Sequence, residues 1–262
     1  MTNHFIRRLR LLGLGVLCAV LIAGLWQTAV FAKSPAQIRV GQFIADTELT
    51  VQFQPQSDKA DAVTLSNLRY KQISDEQSLP TGRYIVTVRS KDQILLRSTY
   101  GLATGDRYTL LLYGIRSEQT AMNPHTFMAQ LKHILGGVDT HTANGYLPQM
   151  RVLSDQLIML STAPQIRLMH LAPGVVPLEV TLQASGKSLL SKTLTYAGSN
   201  QVTAVDNKDV VLAVSPHAQA STVASSLLTL QPQTLTDIFV VGGLADSQPV
   251  EIIVADSQKN AT

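Results

Sequence analysis

The stretch Gln165-Ile-Arg-Leu-Met-His-Leu-Ala-Pro-Gly-Val-Val-Pro-Leu-Glu-Val180 reads as a strand, a Pro/Gly corner and a second strand. An earlier stretch begins at Gln37 and runs Gln-Ile-Arg-Val-Gly-Gln-Phe-Ile-Ala-Asp-Thr-Glu-Leu-Thr-Val51. Both open on Gln-Ile-Arg and both end in an alternating apolar strand. The pair marks a tandem duplication in which each copy opens a β-domain.

Period-two alternation continues from each opening. Leu49, Val51 and Phe53 alternate with Thr50 and Gln52, and Tyr84, Val86 and Val88 with Ile85 and Thr87. Tyr108, Leu110 and Leu112 alternate with Thr109, Leu111 and Tyr113. Such alternation predicts half-buried antiparallel strands. Turn signals separate them at Pro80-Thr81-Gly82, Ser90-Lys91-Asp92 and Thr104-Gly105-Asp106. Val63–Val88 aligns without a gap on Leu189–Val214, and Ser98–Ile115 on Leu227–Leu244, which sets Gly114 on Gly243. The expected fold is all-β: two tandem Ig-like antiparallel β-sandwich domains, 37–160 and 165–256, with a short helical insertion at 116–148. Within the insertion, Asn123-Pro124 signals a helix start and Gly136-Gly137 a stop, which predicts a helix over His125–Leu135. Met150–Leu160 is expected to add a last strand to the first domain, matched by Val250–Ala255 in the second.

The N-terminus has the form of an export signal, or of an N-terminal anchor if it is not removed. Arg7, Arg8 and Arg10 precede the apolar run Leu11–Trp26, and Val30 and Ala32 fit a cleavage site. Residues 1–32 hold the only Cys, Cys18, and the only Trp, Trp26. The remaining chain balances 18 basic against 18 acidic residues, so the formal +3 belongs to the leader. No net cationic character for nucleic acid or anionic lipid remains. Without cysteine, disulfides and thiolate metal sites are excluded there. The expected location is the periplasm, or secretion to the cell surface, with membrane contact only through an uncleaved leader.

Candidate chemistry is sparse. His125, His133 and His141 recur every eight residues, which places the first two about 80° apart on a helix and off the i, i+4 metal spacing. Gly186-Lys187-Ser188 lacks the upstream Gly of a phosphate loop and reads as a hairpin turn. Asp206 and Asp209 lack the other ligands of a calcium loop. No GxSxG elbow occurs. His170 reads either as a general base or as a brace bonded to the Ala172-Pro173-Gly174 corner. Gln42 at nearly the same place in the first copy favours the brace. Tyr84 and Tyr108 fall on core faces, and Tyr70 and Tyr196 are repeat equivalents. Tyr100, Tyr113 and Tyr146 are left as surface aromatics, and with His170 they are the weak binding candidates. No catalytic residue, cofactor or metal ligand is assigned.

The run Ile166-Arg-Leu-Met-His-Leu-Ala-Pro-Gly with Leu178-Glu-Val resembles the opening of the bacterial domain-of-unknown-function 4397 family, as does Leu79-Pro80-Thr-Gly-Arg-Tyr-Ile-Val-Thr-Val88. The layout of leader, two β-domains and a strand feeding the second repeat resembles the periplasmic alginate O-acetylation accessory family. The second resemblance implies a non-catalytic accessory or scaffold in modifying an exported polysaccharide, with polysaccharide-modification proteins or the polysaccharide itself as partners. The first implies a secreted or surface-displayed adhesion or matrix module.

Overall fold

The computed structural model describes residues 34–257, apart from 46, 58–59, 116–145, 156–161, 218, 220 and 244–248. The expected helix, the insertion's three histidines and the leader lie outside the described residues. Pro35–Thr262 forms one compact unit.

The first half runs β1 (Ala36–Ile44), β2 (Leu49–Pro55), β3 (Val63–Leu68), β4 (Gln72–Ile73), β5 (Gln77–Leu79), β6 (Gly82–Ser90), β7 (Gln93–Leu102), β8 (Arg107–Gly114) and β9 (Gln149–Ser154). The second runs β10 (Gln165–His170), β11 (Leu178–Ala184), β12 (Lys187–Leu194), β13 (Thr203–Ala204), β14 (Asp209–Pro216), β15 (Ala224–Thr229), β16 (Leu235–Val241) and β17 (Glu251–Ser257). Each half is a sandwich of an inner and an outer sheet. The inner sheets are ordered β4-β1-β8-β9, with β5 also on β1, and β13-β10-β16-β17. The outer sheets are β3-β2-β6-β7 and β12-β11-β14-β15. The second half repeats the first, except that β4 is matched only by the single bridge between Met169 and Ser199.

The alternating side chains build the two sandwich cores. Ile38, Val40, Leu110 and Leu112 of one inner sheet meet Val51, Phe53, Tyr84, Val86 and Val88 of its outer sheet. Ile166, Leu168, Ile238 and Val240 meet Val180, Leu182, Leu212 and Val214 in the other. A third core joins the halves: Phe43, Leu111, Tyr113 and Leu153 pack with Met169, Leu171, Tyr196, Phe239 and Val241. The inner sheets are therefore covered on both faces, and the described residues of Pro35–Thr262 form four layers. Double coverage explains the near-continuous apolar runs Leu110-Leu-Leu-Tyr113 and Ile238-Phe-Val-Val241.

The sandwich expectation holds, and two features add to it. First, β1 pairs with β8, and β10 with β16, in parallel; every other strand pair is antiparallel. The whole outer sheet lies between each parallel pair in the chain and supplies the long crossover such pairing needs. Second, the repeat register differs at the end of each half. Arg39 lies opposite Thr109 and Arg167 opposite Asp237. Gly114 thus corresponds to Gly242, one residue from the gapless alignment. Both glycines have positive φ, 119° and 91°. An added Cβ would lie 2.5 Å from Leu147 O at Gly114, and would collide with Pro249 O at Gly242. Each lets the inner sheet pass close under the segment that leads into its last strand.

Ser185 and Gly186, both at positive φ (49° and 75°), connect β11 to β12, with Ala184 opposite Lys187. This is a two-residue hairpin turn of the twisted kind, as expected for Gly186-Lys187-Ser188.

Candidate functional site

The repeated Gln-Ile-Arg motif places Arg39 and Arg167 at matching points of β1 and β10, facing the seam between the halves. Their aliphatic neighbours Ile38 and Ile166 point the other way, into the sandwich cores. Both guanidiniums are buried, with side chains 5% and 7% exposed. They meet two buried carboxylates, Asp155 just after β9 and Asp237 on β16. Arg167 Nε donates to Asp237 Oδ1 at 2.7 Å and its NH2 to Asp237 Oδ2 at 2.8 Å and to Asp155 Oδ1 at 2.6 Å. Arg39 NH2 donates to Asp237 Oδ2 at 2.9 Å, and its Nε to Thr109 Oγ1 at 2.9 Å. The Thr109 hydroxyl passes its own hydrogen to Asp155 Oδ2 at 2.7 Å.

Two further bonds repeat under the duplication. Arg39 NH1 donates to Asp256 O, and Arg167 NH1 to Ser154 O, each at 2.8 Å. Each arginine therefore reaches across the seam to the last strand of the other half. Two positive and two negative groups cancel inside this network. Burial lowers the pKa of Arg167, but Asp237 and Asp155 outweigh it and hold the guanidinium above its ordinary value. Burial raises Asp237 above the usual carboxylate range, with Arg167 opposing. The arrangement is a charge-paired lock with its donors and acceptors engaged on each other. At the rim, Lys71 Nζ pairs with Glu251 Oε1 at 2.7 Å, and Arg151 NH1 donates to Ala197 O at 3.3 Å.

Beside the lock lies a group of rings. Tyr196 is the hub: its ring centroid is 5.0 Å from Tyr146, 6.2 Å from Tyr113 and 6.3 Å from His170, all edge-to-face. Three of the four sequence candidates thus converge here, while Tyr100 stands apart on β7 and donates to Met150 O at 3.3 Å. The surface placement expected for Tyr113 is corrected: it is 5% exposed, because the second half covers the face that alternation alone leaves to solvent. Tyr100 and Tyr146 are half-buried. Burial drives the Tyr196 hydroxyl well above the normal phenol range.

His170 is wholly buried at the end of β10. Its Nδ1 accepts the Ala172 N–H at 3.3 Å, while its backbone N–H donates to Gly198 O and its carbonyl accepts the Ala197 N–H. Gln42 does the same work in β1. Its Oε1 accepts the Ile44 N–H at 2.6 Å, and its carbonyl accepts the Lys71 N–H. With Nδ1 accepting, the neutral ring carries its proton on Nε2. No hydrogen bond of standard geometry forms there. Burial lowers the His170 pKa to about 4, against an upward pull from the backbone of Val176 and Val175. The brace reading fits this geometry.

Among the described residues no group of His, Asp and Glu has the arrangement of a metal site. Asp209 Oδ1 accepts the Thr229 hydroxyl at 2.9 Å. The lock is what sequence reasoning missed. Its signal was the arginine shared by both openings, on the strand parity opposite to the core residues.

No protein-family model and no curated protein matches the chain. Among solved structures, a provisionally assigned cell adhesion protein from Bacteroides ovatus aligns at 9% identity and a TM-score of 0.26, over 87% of this chain and 97% of its own. A second, from Bacteroides eggerthii, aligns at 10% identity and a TM-score of 0.24, over 86% and 96%. The tip fimbrial protein Mfa3 from Porphyromonas gingivalis aligns at 11% identity and a TM-score of 0.19, over 85% and 99%. Superpositions this loose establish neither a shared fold nor a shared role.

Proposed function

We propose that the protein is an exported, non-catalytic β-sandwich module that acts by binding, displayed at the cell surface or released into the surrounding matrix. The observation that carries this reading is the equivalence of His170 and Gln42. The one side chain offered as a general base closes a turn that Gln, which is not a base, closes in the other half. The buried carboxylates are likewise engaged by arginines within the lock. The outer sheets are the faces left for partners.

Fractionation of the producing cell with surface proteolysis tests the reading. Protease-sensitive display or release into the medium is the expected result, and retention in the cytoplasm would sink it.

A second reading makes the protein an accessory in exopolysaccharide modification, held in the periplasm. It is favoured by the cationic outer face of the first half, which suits an acidic glycan. Envelope pull-down of polysaccharide-synthesis or acyltransferase components would support it over display, and their absence from a periplasmic protein would count against it.

A further inference from the structure

The outer sheets repeat in backbone but differ in charge. On β6, Tyr84, Val86 and Val88 enter the core, so Arg83, Ile85, Thr87 and Arg89 face outward. On β7, Arg97 lies opposite Thr87, and Thr99 opposite Ile85, on that same outward face. Arg83 and Arg97 are exposed, and Arg89 is half-buried. The sequences of β2, β3, β6 and β7 contain no Asp or Glu at all. The described acids that flank these strands are Glu48, just before β2 and paired with Arg69, and Asp61 and Asp92 in the connecting turns. None of the three arginines forms an ion pair among the described residues.

The second half provides an internal comparison. The positions matching Arg83, Arg89 and Arg97 are Asp209, Ser215 and Ser225. The fold therefore does not require arginine at these places. At the three positions themselves the burial class is the same in both halves: exposed for Arg83 and Asp209, half-buried for Arg89 and Ser215, exposed for Arg97 and Ser225.

We infer that the outward face of the β3-β2-β6-β7 sheet binds an acidic polysaccharide, with Arg83, Arg89 and Arg97 taking its carboxylates. This rests on the reading of the protein as a binding module outside the cytoplasm. Arg83 and Arg89 are six residues apart on one strand, so the cations extend over roughly 20 Å. That suits an extended chain with repeated charge rather than one small anion. The guanidinium fork matches a carboxylate in two parallel hydrogen bonds. Between the cations lie Gln52, Thr99 and Gln54, whose amides and hydroxyl suit sugar hydroxyls. No aromatic ring faces outward from β6 or β7, so bases of a single-stranded nucleic acid would find no stacking platform.

The test uses the full chain against immobilised polygalacturonate, with dextran and single-stranded DNA as comparators, at low and high salt. Saturable binding to polygalacturonate is expected, weakened by salt and absent for dextran. R83Q/R89Q/R97Q should weaken it by about tenfold or more with an unchanged melting temperature, because exposed ion contacts are individually modest. The single variants, each expected to lose about threefold, decide the matter should the triple variant melt early. K187Q/K192Q on the second outer sheet should leave binding unchanged. No polygalacturonate binding, equal or tighter binding of DNA, or full retention by the arginine variants would each overturn the inference. The readout is independent of cell location: a displayed protein that ignores polygalacturonate keeps the first reading and loses this one.

Discussion

Asp237 takes three hydrogen bonds from two guanidiniums while wholly buried. Removing its charge leaves Asp155 alone to balance two buried guanidiniums. Asp237→Asn should lower stability by about 3–5 kcal/mol in urea denaturation, the range for breaking a buried ion pair from one side. Replacing the whole network by apolar residues of similar volume is expected to cost much less, since that removes the desolvation penalty along with the attraction. His170 makes a separate prediction about pH. Its folded pKa of about 4 lies below the unfolded value. The unfolded chain therefore binds a proton below about pH 6.5 that the native ring refuses until about pH 4. The contribution of His170 is full above pH 6.5 and is lost as pH falls through that window, up to about 3 kcal/mol. Asp237, held above its ordinary range, works in the opposite sense. Comparison of melting curves with H170Q isolates the histidine: the variant should show a shallower acid loss, and identical curves would refute the assignment.

At the scale of elements, Gly114 and Gly242 mark where each inner sheet slips under the approach to its last strand. Gly242→Ala should cost at least about 1–3 kcal/mol from backbone conformation alone, with the Pro249 carbonyl collision added. Gly186→Ala in the open hairpin turn, where nothing lies within 4 Å, should cost less, a ranking that chemical denaturation can read. The strands were legible in the sequence because alternation reports a face, and the faces of β2, β6 and β11 are half-buried as it predicts. Alternation does not report direction, so the parallel pairing of β1 with β8 left no trace. Nor does it say what lies beyond a sheet. Leu111 and Tyr113 read as the outward parity of an ordinary sandwich, and only the presence of a second half turns that parity into a core. The one-residue slip between Gly114 and Gly243 has a related cause. Apolar runs such as Ile238-Phe-Val-Val241 look alike in either register, although one step exchanges the faces. The candidate site was half legible. The equivalence of His170 and Gln42 could be read from the repeat, whereas Arg39 and Arg167 served as landmarks and their role required the partner half.

At the largest scale, Pro35–Thr262 is a sandwich of sandwiches, closed by an apolar core and a neutral charge lock at the seam. Thermal unfolding followed by circular dichroism and calorimetry should give a single cooperative transition, and Asp237→Asn should separate it into two. Two transitions in the unaltered protein would show that the seam is weak. The leader bears on the same scale: a native protein processed after Ala32 has no Trp, so indole fluorescence from purified material would refute cleavage there. The paired bonds from Arg39 to Asp256 and from Arg167 to Ser154 have a historical consequence. They are what two copies of a single-repeat ancestor would make on meeting through one self-complementary face. In such a dimer every substitution appears twice, so a change that suits one side burdens the other. Joining the copies in one chain lifts that constraint. Thr109 can then differ from Asp237, and Gly41, hemmed in by Phe43 and Leu111, can sit where its counterpart is the bulky Met169. The seam has the form of a contact that two copies of one repeat could make as a dimer, and within one chain its two sides are free to differ.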